Sequence, residues 1–215
     1  LMEQTTSQDL VIFCISGGGS ALLTAPIQPI TIDDLAVLNE LLLASGADIQ
    51  EINIIRKHLS RIKGGRLLEM AAPARTITLI LSDVIGNDIG SIASGPPAPD
   101  PSTYSDALAV LTRYELIDRV PESIRSVLSA GEEGKIPETL KPGNPSFQNA
   151  PLLILADNKT AVRAGVEEAV RSGYSGEEIA DPFQGEAWQT GKYFGEHLRK
   201  KHKQRNPAHP PICMI

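Results

Sequence analysis

Three short segments of the chain are rich in aliphatic and β-branched residues: Leu10-Val11-Ile12-Phe13-Cys14-Ile15, residues 76–81, where threonines interleave, and residues 152–156. Segments this short and this rich in aliphatic side chains read as strands buried on both faces. Between and after them, apolar positions recur every three or four residues. That spacing predicts helices over 31–45, 49–63, 105–114, 122–129 and 158–172, and a last long one over about 186–204. Thr31 with Asp34 forms a variant of the capping box at the first of these. Strands alternating with helices predict an α/β fold: a Rossmann-like, doubly wound, mostly parallel sheet flanked by helices in three α/β/α layers. Residues 131–150 are rich in Gly, Pro, Glu and Asn and read as a surface loop. The cationic run Arg199-Lys200-Lys201-His202-Lys203 suits a helix C-terminus. Pro210-Pro211-Ile212-Cys213-Met214-Ile215 reads as a buried strand that has just begun. The expected organisation is one incomplete Rossmann-like domain over 1–205, with 206–215 starting a linker or strand toward a further domain.

Composition narrows the picture. The 215 residues are 41% apolar but only 4% aromatic, so the core must rest on Leu, Ile, Val and Ala. A net charge of -6 argues against general binding to nucleic acid or anionic membranes. No apolar run approaches the roughly 18–20 residues needed to span a bilayer. Cys14 and Cys213 make no disulfide framework, and a reduced, cytoplasmic setting fits them. The four histidines and two cysteines form no zinc pattern, and His58 and His197 lack ligand-spaced partners.

The candidate chemistry lies at the strand ends. The first strand runs into Ser16-Gly17-Gly18-Gly19-Ser20, where glycines permit a tight turn and backbone N–H groups can converge on an anion, with a helix start at Ser20 assisting. A plain turn fits the same residues. There is no Gly-x-x-x-x-Gly-Lys-Ser/Thr, and Leu22 stands where a dinucleotide fingerprint needs its third glycine. On the helix predicted over 49–63, Ile49, Ile52, Ile55, Leu59 and Ile62 make one apolar face, and Asn53, Arg56, Lys57, Ser60 and Lys63 recur on another. A solvated helix face is the bland alternative, but such faces usually mix charges, and this one carries no carboxylate. Ser82-Asp83 ends the second strand, where a carboxylate can bind Mg²⁺ or accept a hydroxyl proton. Ser94-Gly95-Pro96-Pro97 is a rigid turn, and Asp157-Asn158 ends the third strand.

Taken in order, five blocks resemble one family: the glycine loop with Ala21-Leu22; Glu51-Ile52-Asn53 through Arg56-Lys57-His58-Leu59-Ser60 to Lys63-Gly64-Gly65-Arg66-Leu67; Leu81-Ser82-Asp83-Val84-Ile85-Gly86-Asn87; Ile92-Ala93-Ser94-Gly95-Pro96; and Asp100-Pro101-Ser102-Thr103. The chain resembles the N-terminal domain of the class II glycerate kinases, the type carrying a C-terminal MOFRL domain. The resemblance runs over about residues 10–186. It implies a transferase moving the ATP γ-phosphoryl group to D-glycerate to give 2-phosphoglycerate, with ATP and Mg²⁺ as cofactors and a cleft shared with the MOFRL domain. Neither nucleic acid nor membrane is an expected partner, and a homodimer is open. By the same resemblance Asp83, Lys63 and Arg56 are the catalytic candidates, with Asp83 also the candidate Mg²⁺ ligand. Ser16, Gly17, Gly18, Gly19, Ser20, Asn53, Lys57, Ser60, Ser82, Ser94, Gly95, Asn158 and Glu186 are candidates for binding substrate or phosphate.

The chain departs from the family pattern at both ends. A Gly-Lys-Ala segment normally precedes the glycine loop, and the Gly-Gly-Arg-Asn block of the MOFRL domain normally follows. Neither is present, so the expectation is a fragment of a longer enzyme, inactive alone. The alternatives are a non-catalytic anion- or nucleotide-binding module and an NAD(P)H-dependent hydroxypyruvate reductase.

Overall fold

The structure, a computed structural model, describes residues 4–179, 186–204 and 210–215. The chain divides into two units, Leu1–Leu155 and Ala156–Ile215. In the first, β1 (Leu10–Ile15) and β2 (Arg75–Leu81) pair in parallel, from Leu10 opposite Arg75 to Ile15 opposite Ile80. The third strand, β3 (Leu152–Ala156), lies on the far side of β2. Four helices connect β1 to β2: α1 (Gly19–Leu22), α2 (Ile32–Ser45), α3 (Ile49–His58) and α4 (Arg66–Ala71). Two follow β2: α5 (Tyr104–Arg113) and α6 (Glu122–Glu132). The starts of α2, α3 and α5 are set by reciprocal capping boxes, Thr31 with Asp34, Asp48 with Glu51 and Thr103 with Asp106.

Apolar packing in this unit forms two clusters. The larger is helical, with Leu42, Ile55, Tyr104, Leu111, Ile124 and Leu128 wholly buried among α2, α3, α5 and α6. The smaller sets Phe13, Ile15 and Ile80 of the sheet against Leu68 and Ala71 of α4 and Ile92. The second unit contains α7 (Asn158–Arg171), α8 (Ala187–Gln204) and a parallel pair, β4 (Ser175–Glu177) with β5 (Ile212–Met214). Lys201 of α8 pairs with Glu177 of β4.

The parallel α/β fold is as expected, with four differences in detail. First, β1 is covered on one face only: Phe13 and Ile15 are buried, whereas Leu10 and Ile12 are 47% and 53% exposed. The α4 cluster covers the side that Phe13 and Ile15 face, and period-2 alternation turns their neighbours away. Second, α3 ends at His58 rather than running to Lys63. Leu59 caps the helix, and Ser60 leaves it to bridge to Pro26; Gly64 and Gly65, with φ of 59° and 83°, turn the chain again only after Lys63. Third, 131–150 is not simply a surface loop. Its first two residues complete α6, and Thr139 and Leu140 are buried, because Leu140 N–H donates to Gly64 O and its carbonyl accepts from Asp100 N–H. Fourth, β5 is half-buried, not buried.

Candidate functional site

Parallel pairing in register brings the loops that leave β1 and β2 out side by side at the carboxyl edge of the sheet, where open α/β sheets bind ligands. Gly17 and Asp83 meet there: a Cβ on Gly17 would overlap the Asp83 carboxylate. Asp83 itself is exposed. Gly18 is left-handed, φ 80°, and caps α1. That helix is a single turn of four residues, and Gly19 N–H donates to Ser16 O at 3.2 Å. The expected help from a helix N-terminus is therefore corrected, since one turn carries little dipole. Ser16, itself exposed, contributes its carbonyl to the turn.

Lys63 reaches back to this loop from the turn after α3. It is 4% exposed, and its Nζ donates to Ser20 O at 2.9 Å, Ser20 Oγ at 3.1 Å and Ala93 O at 3.2 Å. Burial, and after it the neighbouring Arg56 charge, push its pKa down to about 8. Arg56, on α3, donates Nε and Nη2 to Asn39 Oδ1 at 3.2 and 2.9 Å. Both cations line a cavity of about 350 Å³ with Gly18, Ser20, Asn39 and Ser60 at its polar end and Pro26, Ile32, Leu35 and Leu38 among its apolar walls. No carboxylate lines it. Two cations converge there with no counter-charge, an arrangement that lowers the energy of a bound anion.

The remaining candidates fall into distinct places. Asn53 and Ser94 are buried and bonded to each other, Ser94 Oγ donating to Asn53 Oδ1 at 2.9 Å. Ser94 Oγ also lies 2.8 Å from Ser20 Oγ. Ser60 is buried, and its Oγ accepts from Ile62 N–H and Lys63 N–H, which shapes the turn that aims Lys63. Gly95 is left-handed at 60°, with its carbonyl taking Gly65 N–H. Ser82 is buried and turned into its own loop, its Oγ accepting from Val84 N–H at 3.3 Å. Lys57 does not join Arg56 and Lys63. It follows Arg56 on α3, faces a second cavity of about 690 Å³, and donates to Asp100 Oδ1 at 3.3 Å. Asn158 begins α7 and Glu186 precedes α8, both in the second unit.

Sequence reasoning passed over the buried network beneath Lys57. Asp100, wholly buried, also accepts from Ser102 N–H, Ser102 Oγ and Thr139 Oγ1. His58 is wholly buried as well, with Nδ1 at 2.8 Å from Ile54 O and Nε2 at 3.1 Å from Glu138 Oε2. Burial pushes its pKa down, against the opposing pull of the Ile54 carbonyl, Asp100 and Glu138. Arg66 donates to Lys57 O, Ser60 O, Tyr104 Oη and Pro137 O, which ties off the end of α3. The long-range partners among these, Lys57 and Thr139 on Asp100, Glu138 on His58, and Tyr104 and Pro137 on Arg66, lie 38 to 80 positions away, beyond any local periodicity. Among the described residues, no group of three or more His, Cys, Asp or Glu is placed to hold a metal, and no helix is long and apolar enough to cross a membrane.

A glycerate 2-kinase of Pyrococcus horikoshii is 37% identical over 215 residues, which is 100% of this chain and 48% of that protein. A protein of Agrobacterium vitis, provisionally named a hydroxypyruvate reductase, is 43% identical over 207 residues, 96% of this chain and 45% of its own length. The crystal structure of a glycerate kinase from Thermotoga maritima superposes with a TM-score of 0.77 at 32% identity, covering 99% of this chain and 49% of that one. The chain spans about half the length of these proteins. The family described as "Domain of unknown function (DUF4147)" matches residues 1–129, more than half of the sequence, and the chain belongs to that family.

Proposed function

We propose that the protein carrying this chain is a glycerate kinase that moves the γ-phosphoryl group of ATP to D-glycerate, giving 2-phosphoglycerate. The observation that carries this reading is the pairing of Arg56 and Lys63 around a cavity without a carboxylate, beside a glycine loop against which the exposed Asp83 lies. Phosphoryl transfer asks for this combination: cationic groups where negative charge sits and develops, backbone that can approach closely, and a carboxylate at the reacting centre. Arg56 and the Gly18–Ser20 backbone hold an anionic group of the substrates. Lys63 adds charge from beneath. Asp83 accepts the proton of the attacking hydroxyl. Mg²⁺ is commonly bound by one or two carboxylates together with substrate phosphates, and Asp83 fits that donor set. Bound there, it would neutralise charge on the transferring phosphoryl.

A reductase reading fits less well. Dinucleotide sites place the pyrophosphate at the start of a long helix after a three-glycine fingerprint. Here the helix after the loop has four residues and the third glycine is Leu22. The test uses the full-length protein. Incubation with ATP, Mg²⁺ and D-glycerate should form ADP and 2-phosphoglycerate, while hydroxypyruvate with NADH should give no oxidation. NADH oxidation without phosphoryl transfer would sink the kinase reading.

A further inference from the structure

The hydrogen-bond inventory of the two cations in the anion cavity is unequal. An ammonium has three protons, and Lys63 gives all three to protein oxygens: Ser20 O, Ser20 Oγ and Ala93 O. A guanidinium has five, and Asn39 takes two of those on Arg56. Three remain on Arg56, whose side chain lines the cavity.

The bonds beyond Lys63 run in one direction. Ser94 Oγ has a single proton and gives it to Asn53 Oδ1. In the 2.8 Å contact between the Ser20 and Ser94 hydroxyls, Ser20 is therefore the donor. Ser20 Oγ in turn accepts from Lys63. The chain reads Lys63 to Ser20 to Ser94 to Asn53, and it joins the glycine loop, the turn after residue 92 and α3. Lys63, Ser94 and Asn53 are 4%, 0% and 5% exposed, so water does not substitute for the Ser94–Asn53 link, while Ser20 stands half-exposed at the cavity.

The turn it crosses is strained. Ala93, Ser94 and Gly95 are left-handed in succession, with φ of 53°, 61° and 60°. A non-glycine residue in that region costs about 1–2 kcal/mol, and such strain persists only where surrounding contacts over-determine it, most often at functional sites. Here Ser94 O and Gly95 O take the N–H groups of Gly64 and Gly65, and Ala93 O takes Lys63 Nζ. The same lysine thus holds the strained turn and the glycine loop together.

We infer that Lys63, Ser20, Ser94 and Asn53 form a positioning device that sets the glycine loop, so that Lys63 acts on a bound anion through its charge and through Ser20, while Arg56 donates the hydrogen bonds to it. Asn53 and Ser94 are then positioning residues, not ligands. The inference rests on the anion-site reading above for its ligand, but not for its geometry.

The test is amide hydrogen exchange in the full-length protein, which needs no turnover. Ser94→Ala and Lys63→Met should each raise exchange at residues 17–21 by about tenfold or more, leaving α5 amides unchanged, since opening is local. If Ser94→Ala loosens the whole fold, Ser20→Ala removes the middle link at a half-exposed side chain and should raise exchange at the same residues. Unchanged exchange at 17–21 in these variants would overturn the device. A second arm measures ATP affinity. Members of one unit are non-additive, so the double variant of Lys63→Met and Ser94→Ala should bind about as weakly as the worse single variant. Additive losses would make Lys63 an independent ligand and overturn the assignment. Failure of the wild-type protein to bind ATP would sink the kinase reading, and the exchange arm would still decide the device.

Discussion

The carboxylate of Asp83 rests on the α-carbon of Gly17, closely enough that any side chain at 17 would displace it. The contact follows from β1 and β2 running parallel in register, which carries both loops out at the same edge. Gly17 is not in the left-handed region, so its backbone accepts alanine. Gly17→Ala should therefore leave stability within about 0.5 kcal/mol, as for an exposed site. It should lower kcat by about tenfold or more through misplacement of Asp83. Steady-state kinetics beside a urea melt separates the two, and an unchanged kcat would remove Asp83 from the reacting centre.

Asp83→Asn keeps the shape and removes the charge. Loss of a proton acceptor at the reacting centre should cut kcat at least about 10²-fold. If Asp83 also holds Mg²⁺, the Mg²⁺ concentration giving half-maximal rate rises in the same variant. Near-normal turnover would exclude both roles.

Lys63, held at about 8 by burial and Arg56, should give ATP binding an alkaline limb. The charge that favours the anion is present below that pKa and lost above it. Calorimetric titration from about pH 6.5 to about pH 9.5 should show affinity falling above about pH 8, and Lys63→Arg should keep it level because a guanidinium stays charged. Folding has the opposite sign. A lysine with a depressed folded pKa binds more protons when unfolded, so its contribution to stability improves as pH rises from about 8 toward 10.5. A wild-type affinity that is flat across the range would remove the role of the Lys63 charge.

Asp100 supports Lys57 from beneath. Burial alone would raise its pKa, but the Ser102 hydroxyl, Lys57, His58 and Ser102 N–H together hold it below its ordinary 3.8. Asp100→Asn leaves Lys57 without its counter-charge and should cost about 3 kcal/mol at neutral pH. A depressed carboxylate contributes stability that is full above its unfolded pKa and lost as pH falls through the folded one. The gap between wild type and variant should therefore narrow below pH 3.8. Urea unfolding at neutral and acid pH measures it. A constant gap would mean that the loss is one of shape, not charge.

Local pattern carried much of this. The β1 run, the Thr31–Asp34 cap and the switch from strand to glycine loop depend on neighbours within four residues, and each stands in the structure where its sequence predicts. The close contact of Gly17 with Asp83 belongs to the tertiary structure, because pairing of the two strands in parallel delivers their ends to one edge. Periodicity misled at α3, where a regular spacing through Ser60 and Lys63 hid the end of the helix at His58 and the pairing of Ser60 with Pro26. The resulting turn is what sends Lys63 back to Ser20, and no helical face would have done so.

The chain's own order of residues determined which groups could do chemistry: three glycines after a strand, cations without carboxylates, and an aspartate at the next strand end. Tertiary structure alone decided how they divide. It sent Arg56 and Lys63 to one cavity and Lys57 to another. It spent every proton of Lys63 on the protein, and it bound Ser94 to Asn53. The physical reason is that hydrogen-bond capacity and charge compensation are settled between segments distant in sequence. Only folding brings those segments within about 3 Å of one another.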